Sequence, residues 1–187
     1  LAKKLAKKLE GTFVLLDSSR DIARVIINGW SIDFASQIGS TLETDLWRRD
    51  FRINAIALTL NKKPKLIDPT GGLEDIAKKS LVAINEKNLV EDPLRLIRGL
   101  RLIAELDLSL ESQTKQWIHK NRNVLQNVSP ERICAEIEKL INSNFVDQVL
   151  PLIEELELLE PWKEQHQSLK ALSMSLQQSQ ALNSKEK

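Results

Sequence analysis

The sequence predicts an α+β fold, a small antiparallel or mixed sheet followed by an all-α body. Every convincing β-rich run falls before residue 85, and an Asn28-Gly29 pair separates two of them as a hairpin turn does. Beyond residue 85 the apolar residues recur at helical spacing instead.

Each element has a local reason. Leu1, Leu5 and Leu9, with lysines between them, predict the last turns of an amphipathic helix ending near Gly11, its lysines a solvated face. Strands are expected at 12–16, 22–27 and 31–36, separated by Asp17-Ser18-Ser19 and by Asn28-Gly29. Ser40 and Glu43 have capping-box spacing, which predicts a helix from Thr41 carrying Asp45 to Arg49. The apolar run 53–60 leads into the turn Asn61-Lys62-Lys63-Pro64, a short strand over 65–68, and a tight turn at Pro69-Thr70-Gly71-Gly72. Leu96, Ile97, Leu100, Ile103 and Ala104 share one helical face, and Ile133, Ile137, Leu140 and Ile141 share another. Ser129-Pro130 predicts an N-cap with proline in the first helical position. The tail from Gln165, rich in Gln, Ser, Lys and Leu, predicts a weak or fraying helix.

Composition excludes several classes. With 187 residues, 42% of them hydrophobic, the chain is neither disordered nor collagen-like. One cysteine, Cys134, excludes an internal disulfide and a cysteine-based zinc site, and suits a reducing compartment. Two histidines, His119 and His166, are too few for a His-rich metal centre. No apolar run approaches the roughly 18 residues that a membrane span needs, so no membrane partner is expected. The net charge of +1 hides a distribution, since residues 1–142 carry +4 and residues 143–187 carry −3. An anionic ligand is therefore expected before residue 143.

Four segments carry the functional signal through their order. They are Arg48-Arg49-Asp50-Phe51-Arg52-Ile53-Asn54-Ala55, Asp68-Pro69-Thr70-Gly71-Gly72-Leu73-Glu74-Asp75, Glu91-Asp92-Pro93-Leu94-Arg95-Leu96-Ile97-Arg98, and Glu131-Arg132 opening a helix that contains Glu136. Each alone has a plain reading: a solvated helix end, a turn, an N-cap followed by proline, an ordinary helix start. Together they resemble consecutive motifs B to E of the class II tRNA nucleotidyltransferase and poly(A) polymerase family, which includes the CCA-adding enzymes. The resemblance spans about residues 41–142; before it only a general sheet pattern matches, and after about residue 160 nothing does.

The resemblance implies addition of C and A residues from CTP and ATP to the tRNA 3′ end, by two-metal phosphoryl transfer with Mg²⁺. It also implies a cytoplasmic setting. Asp92 and Arg95 are then the base-reading pair. Spaced i, i+3, they can project side by side. Cytosine and adenine each present an amino donor beside a ring-nitrogen acceptor, which suits a carboxylate beside a guanidinium; guanine and uracil mispair both groups. Arg98 and Arg101 continue the row as a cationic rail for a triphosphate. Arg49, Asp50 and Asn54 are the candidates for the sugar, whose 2′-hydroxyl both donates and accepts, with Arg49 alternatively on a phosphate. Arg52 stands where the family commonly has threonine. Asp68 to Asp75 is expected to form a hinge, and Glu131, Arg132 and Glu136 to brace the base-reading helix through ion pairs.

Asp33, flanked by Ile32 and Phe34, fits a third metal carboxylate or else an ordinary edge-strand aspartate. The family's primary Asp-x-Asp pair, which follows a Gly-Gly-x-Val-Arg-Asp element, is absent from the sequence. With Leu1 opening into a helical pattern, the expectation is a fragment whose catalytic start is missing, inactive alone. The expected division is 1–70 as a partial head, 71–142 as a helical nucleotide-recognition neck and 143–187 as a helical tail. A poly(A) polymerase, an enzyme adding only CC or only A, and a non-catalytic RNA-binding remnant are the alternatives.

Overall fold

The computed structural model describes residues 1–18 and 21–163. The expected tail helix from Gln165 lies outside the described residues. Two compact units form, Leu1–Asp45 and Leu46–Lys187. This division comes earlier in the chain than residue 70, and the Asp68–Asp75 stretch, expected as a hinge, lies within the second unit.

The first unit opens with α1 (Ala2–Lys8), followed by an antiparallel meander of β1 (Thr12–Asp17), β2 (Ile22–Ile27) and β3 (Trp30–Ala35) in that spatial order. Alternate residues of a strand face opposite ways, so Ala23, Val25 and Ile27 share one face of β2. They pack with Phe13, Phe34, Ala2 and Ala6. The leucine repeat therefore misplaced the helix's inner stripe. Ala2 and Ala6 are buried while Leu1 and Leu9 are exposed, because small side chains give a helix close access to a short sheet. Ile27 pairs with Trp30 across the expected two-residue turn. Asn28 and Gly29 both have positive φ, 48° and 81°, as a type I′ hairpin requires.

No atom stands within 4 Å of a Cβ built on Gly29, so Gly29→Ala tests backbone conformation alone. It is expected to cost about 1–2 kcal/mol, read as a lower urea midpoint in far-UV circular dichroism.

Helix α2 (Leu42–Trp47) begins one residue later than expected. Its cap is Thr41, whose Oγ1 accepts from the Thr44 N–H at 3.1 Å, and Ser40 takes no such part. The helix also stops at Trp47, which leaves Arg48 and Arg49 beyond its end.

The second unit contains the hairpin β4 (Ala57–Leu58) and β5 (Leu66–Ile67), then α3 (Gly72–Ala77), β6 (Ser80–Leu81), α4 (Glu86–Glu91), α5 (Leu94–Leu106), β7 (Ser109–Leu110), α6 (Ser112–Lys120), α7 (Pro130–Ile141), α8 (Leu150–Glu155) and α9 (Glu160–Lys163). Its core gathers Phe51, Leu81, Leu89, Leu96, Leu100 and Ile103 around α5, and α7 packs along that helix. Strand β7 corrects the expectation of no strand beyond residue 85. It pairs in parallel with β6, Ser109 donating to the Lys79 carbonyl at 2.8 Å and Glu111 to the Leu81 carbonyl at 3.1 Å. Two residues are too short for alternation to register in a sequence.

The glycine turn at 71–72 seats α3. Asp68 accepts from the backbone N–H groups of Gly71, Gly72 and Leu73 at 3.0, 2.8 and 2.9 Å. Burial alone would raise its pKa, but these amide donors outweigh it and hold the carboxyl below the ordinary aspartate range. A Cβ on Gly72 would stand 2.2 Å from the Arg52 carbonyl oxygen. Only glycine lets α3 approach the 52–54 turn this closely.

Helix α6 carries a carboxylate cap at Glu111, which accepts from Gln113 N and Thr114 N, both at 2.7 Å, and from Thr114 Oγ1 at 2.9 Å. Glu111→Ala is expected to cost about 0.5–2 kcal/mol. A thermal melt that leaves the midpoint unchanged would show the cap to be dispensable.

Candidate nucleotide-recognition site

Asp33 lies in the first unit, and the other seven candidates lie in the second. On β3, Asp33 stands directly across from Arg24 of β2. Both carboxylate oxygens are taken, by Arg24 Nε at 2.6 Å and by Arg24 Nη2 at 2.8 Å. That hydrogen-bonded pairing pulls the Asp33 pKa down. Among the described residues no group of three or more His, Cys, Asp or Glu side chains could hold a metal ion. With both oxygens on Arg24, Asp33 does not fit a magnesium seat.

The segment after α2 is built around Asp50, a buried carboxylate. Its Oδ1 accepts from the Phe51 N–H at 2.8 Å and from Asn54 Nδ2 at 3.0 Å, and its Oδ2 pairs with Arg98 Nη1 at 3.3 Å. Arg49 donates through Nη1 to the Asn54 carbonyl at 2.9 Å. Arg49, Asp50, Asn54 and Arg98 therefore form one connected group, with α5 docked on the 48–54 segment through Asp50.

Arg95 and Asn88 hold the same segment by its backbone. Arg95 Nη1 donates to the carbonyls of Arg48, at 3.1 Å, and Asn88, at 2.8 Å. Asn88 Nδ2 donates to the carbonyls of Trp47, at 2.8 Å, and Arg49, at 2.7 Å. The Nε–H of Arg95 is buried without a hydrogen-bond partner. An unsatisfied buried donor costs about 1–3 kcal/mol, which an acceptor on a ligand would recover. Asn88 had no signal in the sequence as part of this site, since its partners are backbone carbonyls some forty residues earlier.

The Asp92 side chain does not cap α5. The residue closes α4, and α5 is entered through Pro93 with no side-chain cap bond. Its carboxylate instead meets Arg132 of α7, with Arg132 Nη2 at 3.1 Å from Oδ1. Arg101 is held twice, by Glu105 at 2.5 Å and by Glu136 of α7 at 2.8 Å. Burial would raise the Glu136 pKa, but Arg101 bonded to it, with the charges of Arg98 and Lys139 nearby, holds it below the ordinary glutamate range. Arg101 and Arg132 thus fasten α5 and its entry to α7 at two points. Both ties match the bracing expected of the Glu131–Glu136 stretch.

Acidification should release the first of them. Because the Glu136 pKa is depressed, the pairing stabilises the fold above the unfolded-chain pKa and is lost as pH falls through the folded one. Glu136→Gln is expected to flatten that part of the stability–pH curve below about pH 4.5, near the unfolded glutamate pKa, as urea midpoints would show.

Residues 15–82 match the poly(A) polymerase head domain, and residues 107–169 match the family described as "Probable RNA and SrmB-binding site of polymerase A". The chain belongs to the tRNA nucleotidyltransferase and poly(A) polymerase family. It is 39% identical over 142 residues to a CC-adding tRNA nucleotidyltransferase of Synechocystis, covering 76% of this chain and 34% of that protein. A CCA-adding enzyme of Geobacillus stearothermophilus is 40% identical over 117 residues, covering 62% and 28%. The solved structure of the Thermotoga maritima CCA-adding enzyme complexed with tRNA superposes with a TM-score of 0.77 at 27% identity, covering 88% of this chain and 41% of that one. The chain thus spans about a third of the length of the curated relatives it matches.

Proposed function

We propose that these residues form the nucleotide-selecting part of a tRNA 3′-end nucleotidyltransferase that adds C, A or both from CTP and ATP in the cytoplasm. The observation that carries this reading is the buried, unpartnered Nε–H of Arg95 beside a chain segment that Arg95 itself holds in place. An incoming base with a ring-nitrogen acceptor satisfies that donor. Asp92, whose side chain caps no helix N-terminus, accepts from the exocyclic amino group after exchanging its contact with Arg132.

Sugar and phosphates fall to the group around Asp50. Asn54 and Asp50 offer a donor and an acceptor for a ribose hydroxyl, and Arg49 and Arg98 offer cationic forks for phosphate oxygens. Arg101 is the last of the row, and there a phosphate competes with Glu105 and Glu136. Phosphoryl transfer of this class uses a divalent cation, Mg²⁺ on the family resemblance; the residues described here contribute selection of the nucleotide.

The test is nucleotide addition by the full gene product on tRNA ending at the discriminator base. Incorporation of CTP or ATP, with UTP and GTP refused, is the expected result. Extension of unrelated RNA by ATP alone would identify a poly(A) polymerase instead.

A further inference from the structure

A cavity of about 290 Å³ in the second unit shares no residue with the eight site candidates. Its floor is the pairing of two chain segments: Arg52 N donates to the Val82 carbonyl at 3.0 Å, Ile84 N donates to the Asp50 carbonyl at 3.0 Å, and Phe51 bridges to Ala83 between them. Val82, Ala83 and Ile84 supply an apolar base, and Arg52, Gln113 and Trp117 line the walls. Such a volume lies just below the range of about 300–1,000 Å³ typical of drug-sized ligands. It suits one small unit with a ring.

Charge decides which unit. No side chain or carbonyl among the described residues hydrogen-bonds the Arg52 guanidinium. Two acids lie within its electrostatic reach: Glu74, engaged by Lys78 at 2.6 Å, and Asp75, buried with its Oδ2 unpartnered and its pKa raised by that burial. Glu111 also lines the cavity, but its oxygens are occupied by Ser112, Gln113 and Thr114 at the start of α6. The charged donors left unengaged at this cavity are therefore those of the Arg52 guanidinium.

Trp117, half-buried, offers an indole surface. The exposed Gln113 amide donates one N–H to Gln116 at 3.3 Å and keeps a second donor and an acceptor, the complement of a base edge. A cation, an aromatic surface and an amide over an apolar floor are the elements that hold single nucleotides of RNA, where stacking contributes about 1–3 kcal/mol per base.

We propose that this cavity seats one nucleotide unit, with its phosphate on Arg52, its base against Trp117 and its base edge on Gln113, as a second nucleotide position apart from Asp92 and Arg95. The choice of a nucleotide over another ring-bearing anion rests on the reading of the chain as part of an RNA-extending enzyme. Free nucleotide and an RNA residue share this chemistry.

The experiment is tryptophan fluorescence of the 187-residue chain titrated with CMP, with the dinucleotide CpC and with ribose 5-phosphate. Both cytidine ligands are expected to quench, and Trp117→Phe to remove the quenching. Arg52→Thr should weaken it about tenfold, the size of one charge-assisted hydrogen bond, and Gln113→Ala severalfold. Tighter binding of CpC than of CMP assigns the seat to RNA, and equal binding assigns it to free nucleotide. Asp92→Asn should leave this quenching unchanged even where it alters selectivity, so the two sites fail separately. Quenching by CMP that persists in both Arg52→Thr and Trp117→Phe, each with a wild-type circular dichroism spectrum, would overturn the proposal, and so would ribose 5-phosphate binding as tightly as CMP.

Discussion

Replacing Asp92 by alanine is expected to remove the preference for CTP over UTP while leaving the fold intact. With a carboxylate accepting from the amino group and Arg95 donating to the ring, the two-point pairing discriminates against the wrong base by about 1–3 kcal/mol, a ratio of roughly 5- to 160-fold. Without Asp92 the ratio should fall to within about threefold, the residue of what Arg95 alone can tell apart. The structural cost is small for two reasons. The Asp92 side chain caps no helix N-terminus, and its contact is with Arg132, half of whose side chain is exposed. A pair of that kind contributes about 0–1 kcal/mol. Affinities for the four nucleoside triphosphates, measured by calorimetry beside a urea melt, separate the two roles. A large loss of stability with unchanged selectivity would make Asp92 a structural residue.

Glu136→Ala is expected to act in the opposite sense, with a large effect on stability and an indirect one on binding. Glu136 is buried and ties Arg101 of α5 to α7, with Lys139 at 3.3 Å on its other oxygen. Removing one member of a buried ion pair costs about 3–5 kcal/mol, because the partner is left without its counter-charge. Glu105 remains bonded to Arg101, which places the expectation near the lower figure, about 3 kcal/mol. Urea unfolding gives the number directly. Nucleotide affinity should fall while the CTP to UTP ratio holds, since the base-reading side chains themselves are untouched. A stability change under about 1 kcal/mol would mean that α7 supports α5 by apolar packing alone.

The elements legible in the sequence are those whose signal is local. Asn28-Gly29 announced a hairpin because two consecutive positive φ angles select those residue types. The inner stripe of α1 was misread because Leu1, Leu5 and Leu9 outrank Ala2 and Ala6 in hydrophobicity, while a short sheet gives access to small side chains first. Strand β7 left no trace because its pairing with β6 joins residues about thirty apart.

The site divides along the same line. The order of the four segments brought Arg49, Asp50, Asn54, Asp92, Arg95, Arg98 and Arg101 forward together, and the structure joins Asp50, Asn54, Arg49 and Arg98 in one group. Contacts made through backbone carbonyls were illegible, as with Asn88 and with Arg95 on Arg48. Commitments among charged residues were equally hidden. A run of arginines at i, i+3 spacing reads the same whether its carboxylate partners sit on a ligand or, as for Arg101, on a neighbouring helix.

On the function proposed above, this chain selects nucleotides by the donor and acceptor pattern of the base. Calorimetric titration of the 187-residue chain with CTP, ATP, UTP and GTP under one buffer tests it most directly. CTP or ATP should bind at least about fivefold more tightly than UTP and GTP. Equal affinity for all four would contradict the account, because phosphate attraction alone would then explain the binding.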